Sequence, residues 1–328
     1  MPAAEFAFDL AKLERAAALV HRSMLPTPQF QWPKLSRRAG CTVWVKHENH
    51  TPTGAFKVRG GLVYLDRLQK SAAAPAGVIT ATRGNHGQSI AYSAARAGVP
   101  ATIYVPLGNS PDQNRSIADW GARVVEFGRD FDTARHEAFR VAEAEKLHFV
   151  PSFHPDLVIG VASYALELFR AAGELDAVYV GVGMGSGICG LIMVRDLLGL
   201  KTEIVGVVAA NAPAFALSVE AGHPVRTDTA QTFADGLACR DPQAEALEII
   251  AAGAARVVTV SEDAMAEAIR IYYVTTHNLA EGAGAAPLAA LLQERDRNAG
   301  KRIGLILTGG NIDMPVFARI LRGETPGS

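Results

Sequence analysis

Hydrophobic residues in this chain gather in short runs that are apolar at nearly every position, not at alternate ones. Such runs occupy residues 77–80, 101–105, 123–127, 177–182, 203–208, 256–260 and 303–308. Continuous apolar runs of this length predict strands covered on both faces, because a strand with one wet face alternates. Between them lie alanine-rich segments with helical spacing: 88–97, 116–120, 131–146, 158–171, 191–198, 262–273 and 284–293. Strands and helices in alternation predict βαβ units and an open, doubly wound α/β fold around mainly parallel strands. No repeat of solenoid length and no low-complexity linker interrupts the pattern. Composition alone marks no domain boundary.

Composition and charge narrow the function. The chain has 328 residues, 49% hydrophobic and 20% charged, which suits a folded protein with ample core. Its 32 Lys+Arg nearly cancel 33 Asp+Glu. No basic field is present to neutralise a phosphate backbone, so nucleic acid is not an expected partner. No apolar stretch approaches the roughly 20 residues that span a bilayer, so no membrane partner is expected either. The opening Met1-Pro2-Ala3-Ala4-Glu5 carries no basic run before an apolar core, so no targeting signal is expected. Cys41, Cys189 and Cys239 form no CxxC. A reducing cytoplasm fits, and a disulfide framework does not. The histidines show no ligand spacing, and His47-Glu48-Asn49-His50 lacks the HExxH interval, so no metal is expected.

In open parallel sheets, ligands collect beyond the carboxyl ends of the strands. Four segments there carry candidate chemistry. In Thr53-Gly54-Ala55-Phe56-Lys57-Val58-Arg59-Gly60-Gly61, one lysine sits among glycines and apolar residues after a turn. Lys57 is either an exposed lysine beside that turn or a desolvated amine able to act as nucleophile or base. Ala81-Thr82-Arg83-Gly84-Asn85-His86-Gly87-Gln88 follows a strand and opens a helix. It reads as a polar helix cap or as a carboxylate site built on free backbone N–H groups.

Val180-Gly181-Val182-Gly183-Met184-Gly185-Ser186-Gly187-Ile188-Cys189-Gly190 runs from a strand through near-alternating glycines into a helix. Bare amides and the positive helix end make an anion cradle. A dinucleotide fingerprint would need an acidic residue roughly 20 positions on. The next strand ends in Ala209-Ala210-Asn211 instead, and no Gly-Lys-Ser/Thr is present. A small phosphate ester fits the cradle best. Last, Thr308-Gly309-Gly310-Asn311 presents a neutral hydroxyl after a strand, in what could equally be a plain turn. The paired Tyr272 and Tyr273 are expected in helix packing.

Taken in order, these segments resemble the fold-type II pyridoxal-phosphate enzymes, in the branch of threonine/serine dehydratases (ammonia-lyases) and serine racemases. Ala234-Asp235-Gly236-Leu237-Ala238 and Glu281-Gly282-Ala283-Gly284-Ala285 keep the family's order too. The resemblance runs from about Leu25 to about Ile320. It implies two open, twisted, mainly parallel sheets with flanking helices and the cofactor in the cleft between domains. Residues 1–74 and 154–328 would form the large cofactor-binding domain, and 75–153 the small one. Lys57 would hold pyridoxal 5'-phosphate and then take the substrate's α-proton. Gly183, Met184, Gly185, Ser186 and Gly187 would grip the phosphate, Asn85 the ring hydroxyl, Phe56 the ring side, and Thr308 the pyridine nitrogen. Thr82, Arg83, Gly84 and His86 would form the loop that receives the substrate carboxylate.

The implied reaction is α,β-elimination from a threonine- or serine-like β-hydroxy amino acid, giving a 2-oxo acid and ammonia. Phenylserine or 3-hydroxyaspartate are alternative substrates. A β-replacement synthase is disfavoured because the loop reads Gly-Asn-His-Gly. Racemisation is disfavoured because Arg83 stands where racemases carry a serine acid/base. Arg83 is expected to meet an anionic group or a domain contact. The strand 203–208 lacks the family's Glu-Pro ending, which speaks against its divalent-cation site. The segment Gly160-Val161-Ala162-Ser163 departs from the usual Gly-Gln-Gly-Thr, while Glu167 is kept. The chain ends 17 residues after Asn311. No isoleucine-sensing regulatory domain is therefore expected. Relatives are often dimers, so a homodimer is an expectation.

Overall fold

Ten strands assemble into two sheets in the computed structural model, which describes residues 4–71 and 75–327. The strands are β1 (Gln29–Gln31), β2 (Thr42–His47), β3 (Val78–Ala81), β4 (Ala101–Val105), β5 (Arg123–Glu126), β6 (His148–Phe149), β7 (Ala177–Gly181), β8 (Glu203–Ala209), β9 (Arg256–Val260) and β10 (Arg302–Leu307). One sheet has the order β1-β2-β10-β7-β8-β9 and the other β5-β4-β3-β6. Every pairing is parallel except the edge pair β1 and β2.

The α-helices are α1 (Leu10–His21), α2 (Pro33–Ala39), α3 (Lys57–Lys70), α4 (Asn85–Ala97), α5 (Pro111–Asp119), α6 (Phe131–Glu145), α7 (Pro155–Ala172), α8 (Ser186–Leu197), α9 (Ala214–Ala221), α10 (Ala244–Gly253), α11 (Glu262–Thr276), α12 (Gly282–Gln293) and α13 (Met314–Leu321). Both faces of the inner strands are covered, as the unbroken apolar runs require, whereas the edge strands β5 and β9 leave Arg123, Glu126 and Thr259 exposed, because an edge strand is packed less completely. On the larger sheet, Val178 and Val180 pack toward α1, α7 and α8, while Tyr179, Val205 and Val207 pack toward α11 and α12. On the smaller sheet, Val78 and Ile103 meet α4 and α5, and Ile79 and Tyr104 meet α6. Among the described residues, no helix is long and apolar enough to cross a membrane.

Several elements escape the apolar pattern, each for a local reason. Strand β2 ends in Lys46 and His47, polar residues that are nonetheless fully buried. The Lys46 ammonium donates to the Glu167 carboxylate at 2.5 Å and to the Thr27 carbonyl at 2.8 Å. Helix α3 carries Gly60 and Gly61, which lower helix propensity. Packing demands them. A Cβ on Gly60 would lie 2.8 Å from the Leu157 carbonyl oxygen, and one on Gly160 would lie 2.4 Å from that of Arg59. Helices α3 and α7 therefore cross backbone against backbone. Helix α5 starts at Pro111, five residues before the apolar signal at 116, because Ser110 caps it by accepting from the Gln113 N–H at 3.1 Å. Tyr272 is fully buried, whereas Tyr273 is half exposed and lies edge-on to Phe317.

Candidate active site

A cavity of about 580 Å³ opens at the carboxyl ends of β3, β7 and β10, between the two sheets. All four sequence segments reach it. Phe56, Lys57, Thr82, Arg83, Gly84, Asn85, His86, Gly183, Met184, Gly185, Ser186, Gly187 and Thr308 each line its wall.

Lys57 is the first residue of α3. Its placement follows from strand pairing at the far end of the chain. Ala55 bridges Gly309 across the loop after β10, and the Phe56 N–H donates to the Thr308 carbonyl at 3.0 Å. The lysine is only half-buried as a whole residue, but its amine lies at the depth of the cavity. Its Nζ stands 3.4 Å from the Ser186 hydroxyl and 5.2 Å from the centre of the Phe56 ring. Desolvation lowers its pKa to about 8. The nearby start of α3 disfavours a cation in the same sense. The exposed-lysine reading fails here: this is an amine poised to lose its proton.

The glycine segment turns from β7 into α8 at Gly185, which has φ +96°. Close packing enforces the glycines. A Cβ on Gly183 would sit 2.1 Å from the Gly236 carbonyl oxygen, and one on Gly185 would sit 2.9 Å from the Ala246 Cβ. The first N–H groups of a helix have no acceptor inside it. Those of residues 185–188, ahead of the first intrahelical bond from the Cys189 N–H to the Gly185 carbonyl at 3.0 Å, therefore present a bare cradle for an anion. The Tyr164 hydroxyl donates to the Gly187 carbonyl at 2.8 Å and braces the turn from behind. An amine with a lowered pKa beside an amide cradle fits an aldehyde cofactor that carries a phosphate.

The loop after β3 is held by its own side chains. The Thr82 hydroxyl accepts from the N–H groups of Gly84 at 3.0 Å and Gly87 at 3.1 Å, so it shapes the loop. The Asn85 side chain donates to Glu281 and accepts from Asn311, each at 2.8 Å. His86 is buried and bonded to the Val150 backbone, and burial with the charge of Lys57 lowers its pKa to about 3. Its imidazole stays neutral near pH 7, and its Nε2 has no partner among the described residues. Arg83 reaches Asp235 with 3.3 Å between Nε and Oδ1, a contact that links the smaller sheet's loop to the opposite wall. Arg240 and Asp132 make a second link of this kind at 3.3 Å.

Glu281, Asp235 and Asn311 are among the cavity residues that have no role in the sequence reading. Glu281 and Asp235 stand in the two secondary motifs, and Asn311 ends the Thr-Gly-Gly-Asn turn. The only signal in each segment is a polar side chain next to glycine: Asp235 before Gly236, Glu281 before Gly282 and Asn311 after Gly310. Behind the cavity lies a buried charge network. The fully buried Arg59 donates from Nε to Glu48 at 2.7 Å, from Nη1 to Glu167 at 2.6 Å, and to Ser163 at 2.9 Å. This fixes the kept Glu167 and the departed Ser163 as supports of the helix that carries Lys57.

Comparison with known proteins places this geometry. Residues 20–309 match the family described as "Pyridoxal-phosphate dependent enzyme". The chain is 36% identical to the L-threonine ammonia-lyase of Geobacter sulfurreducens over 287 residues, covering 87% of this chain and 71% of that one. It is 32% identical to the L-threo-3-hydroxyaspartate ammonia-lyase of a Pseudomonas species over 298 residues, covering 90% and 93%. The processed form of threonine deaminase isoform 2 from Solanum lycopersicum superposes with a TM-score of 0.87 at 26% identity, covering 98% and 96%. With a matched family over most of its length and a cavity whose amine and amide cradle suit the group, the chain belongs to the pyridoxal-phosphate-dependent enzymes, and pyridoxal 5'-phosphate is its cofactor.

Proposed function

We propose that the chain is a pyridoxal-phosphate-dependent dehydratase, an ammonia-lyase that converts a β-hydroxy amino acid of the threonine or serine kind to a 2-oxo acid and ammonia. The observation that carries this reading is the Lys57 amine, desolvated and facing Ser186 beside the glycine cradle. The two ammonia-lyase relatives support it.

When bound, the cofactor supplies the electron withdrawal that acidifies the substrate's α-proton. The chain's residues do the rest. The amides of Gly183, Met184, Gly185, Ser186 and Gly187 would hold its phosphate. Phe56 would lie beside its ring, Asn85 would donate to its ring oxygen, and Thr308 would offer a hydroxyl in place of a carboxylate. The loop of Thr82, Arg83, Gly84 and His86 would receive the substrate carboxylate, with the Thr82 and Gly84 N–H groups already spent on shaping the loop. Lys57 then accepts the proton from the α-carbon, for which a pKa near the working pH is well matched.

Arg83 sharpens the substrate class. Its guanidinium already has a carboxylate partner in Asp235. A neutral β-substituent is the better fit. The four-stranded sheet drawn from residues 78–149 supports reading 75–153 as the smaller domain.

The test is 2-oxo acid release from L-serine, L-threonine, both 3-hydroxyaspartate diastereomers and phenylserine. Preference for threonine or serine is expected. Preference for hydroxyaspartate would overturn the substrate assignment and leave the elimination chemistry standing. Silence across the panel, with new amino acid formed on adding sulfide, would replace it with β-replacement.

A further inference from the structure

Glu281 caps the start of α12, and its carboxyl lies in the cavity wall, nine-tenths buried. Three chain segments meet around it. Its backbone N–H donates to the Gly309 carbonyl at 3.1 Å. Its Oε1 accepts from the Asn85 Nδ2 at 2.8 Å. The space is reserved for it: a Cβ on Gly309 would come within 2.6 Å of that oxygen.

The hydrogen-bond direction in this cluster is forced. Asn311 donates from Nδ2 both to the Thr53 carbonyl and to the Asn85 Oδ1, each at 2.8 Å, which uses both hydrogens of its amide. Asn85 must therefore turn its oxygen to Asn311 and its nitrogen to Glu281. An amide nitrogen carries two hydrogens. One goes to Glu281, and the second has no protein partner among the described residues.

We infer that Glu281 is the positioning residue for Asn85: by accepting one hydrogen of its amide, it fixes the orientation that leaves the other for the bound cofactor. Burial, with Asp235 nearby, raises the pKa of Glu281 to about 8, so the carboxyl is mostly neutral at pH 7. A neutral glutamine could stand in for it. The inference rests on the functional reading only in requiring the cofactor in this cavity.

The experiment uses apo forms of the full chain: wild type, Glu281→Ala, Glu281→Gln, Asn85→Ala and the Asn85→Ala/Glu281→Ala double variant. Each is titrated with pyridoxal phosphate, reading affinity, the position of the bound absorbance band and the thermal stability of the apo form. Glu281→Ala is expected to weaken affinity about tenfold, the scale of one hydrogen bond, and to move the band as Asn85→Ala does. The double variant should bind no worse than Asn85→Ala, because the two residues act as one unit. Glu281→Gln should restore affinity to within about threefold of wild type and restore the band. Unchanged affinity and band in Glu281→Ala would overturn the inference. So would additive losses in the double variant, or a Glu281→Gln form that folds like wild type and binds like Glu281→Ala. A wild-type chain that takes up no cofactor would sink the functional reading, and this inference with it.

Discussion

Arg83 and Asp235 meet across the mouth of the cavity, with 3.3 Å between Nε and Oδ1 and each side chain about half exposed. The contact joins the loop after β3, which carries Asn85, to the turn whose Gly236 carbonyl backs the glycine cradle. The arginine that departs from the racemase pattern thus touches both walls of the cavity mouth.

Exposed pairs of this kind contribute on the order of 0–1 kcal/mol to stability. Arg83→Ala and Asp235→Ala should therefore fold almost as well as wild type. If the pair is a strut, both variants change KM by a similar factor for every substrate and leave the preference between threonine and hydroxyaspartate alone. Selective loss of hydroxyaspartate turnover in Arg83→Ala alone would make Arg83 a substrate ligand.

Lys57 ties the site to pH. Its pKa is about 8 in the folded chain against 10.5 for a free lysine. Between those values the unfolded chain binds the proton and the folded one does not, so stability rises with pH across that window. Below pH 8 the cost of burying the cation is present in full. Apo Lys57→Met should accordingly be more stable than apo wild type at pH 7, by at most about 3 kcal/mol, with the gap closing toward pH 10.5. Urea unfolding at a series of pH values measures this, and a pH-independent gap would mean the amine is hydrated. The same variant should show no turnover.

Gly183 and Met184 are neighbours with opposite expectations. Gly183→Ala must push the cradle off the Gly236 carbonyl, at a cost of about 1–3 kcal/mol and at least about a tenfold loss of cofactor affinity. Met184→Ala keeps the amide that does the binding, so affinity should hold. Fluorescence titration of the two apo variants separates them. Equal losses would show that side chains, not amides, build the cradle.

Glu167 is expected to matter without touching the cavity. It faces both Arg59 and Lys46, two buried cations, with Glu48 the other carboxylate beside Arg59. Glu167→Ala should cost about 3–5 kcal/mol, read as a lower denaturation midpoint. The charge of Arg59 leads in holding the Glu167 pKa down to about 2 against the effect of burial. Its contribution is therefore complete above pH 4.5 and fades as pH falls toward 2. A denaturation midpoint unmoved by the substitution would show that the network does not support the fold.

How legible the fold was depended on whether an element is held by apolar residues or by charge and contact. Strands β4 and β7 are nearly continuous apolar runs and appear where the pattern puts them. Helix α3 and strand β2 were hidden, because Arg59 and Lys46 are core residues only once Glu48 and Glu167 neutralise them. Glu48 is close in the chain, but Glu167 lies more than a hundred residues from both cations, where no local pattern reveals it. The same holds in the site. Lys57 and the glycines carry their chemistry in their own segment, whereas Glu281 becomes meaningful only when Asn85 and Gly309 are seen against it.

The position of β10 bears on how the chain is made. This strand lies between β2 and β7 in the larger sheet, pairing Leu307 with His47 on one side and Ile303 with Ala177 on the other. A nascent chain that has not yet released residue 302 holds two unpaired strand edges facing a gap, and such edges recruit foreign strands. The segment that carries Lys57 therefore gains its neighbour at residue 308 only once this late strand has been made. Until then the ribosome carries a protein with every catalytic segment but one and no place to bind its cofactor.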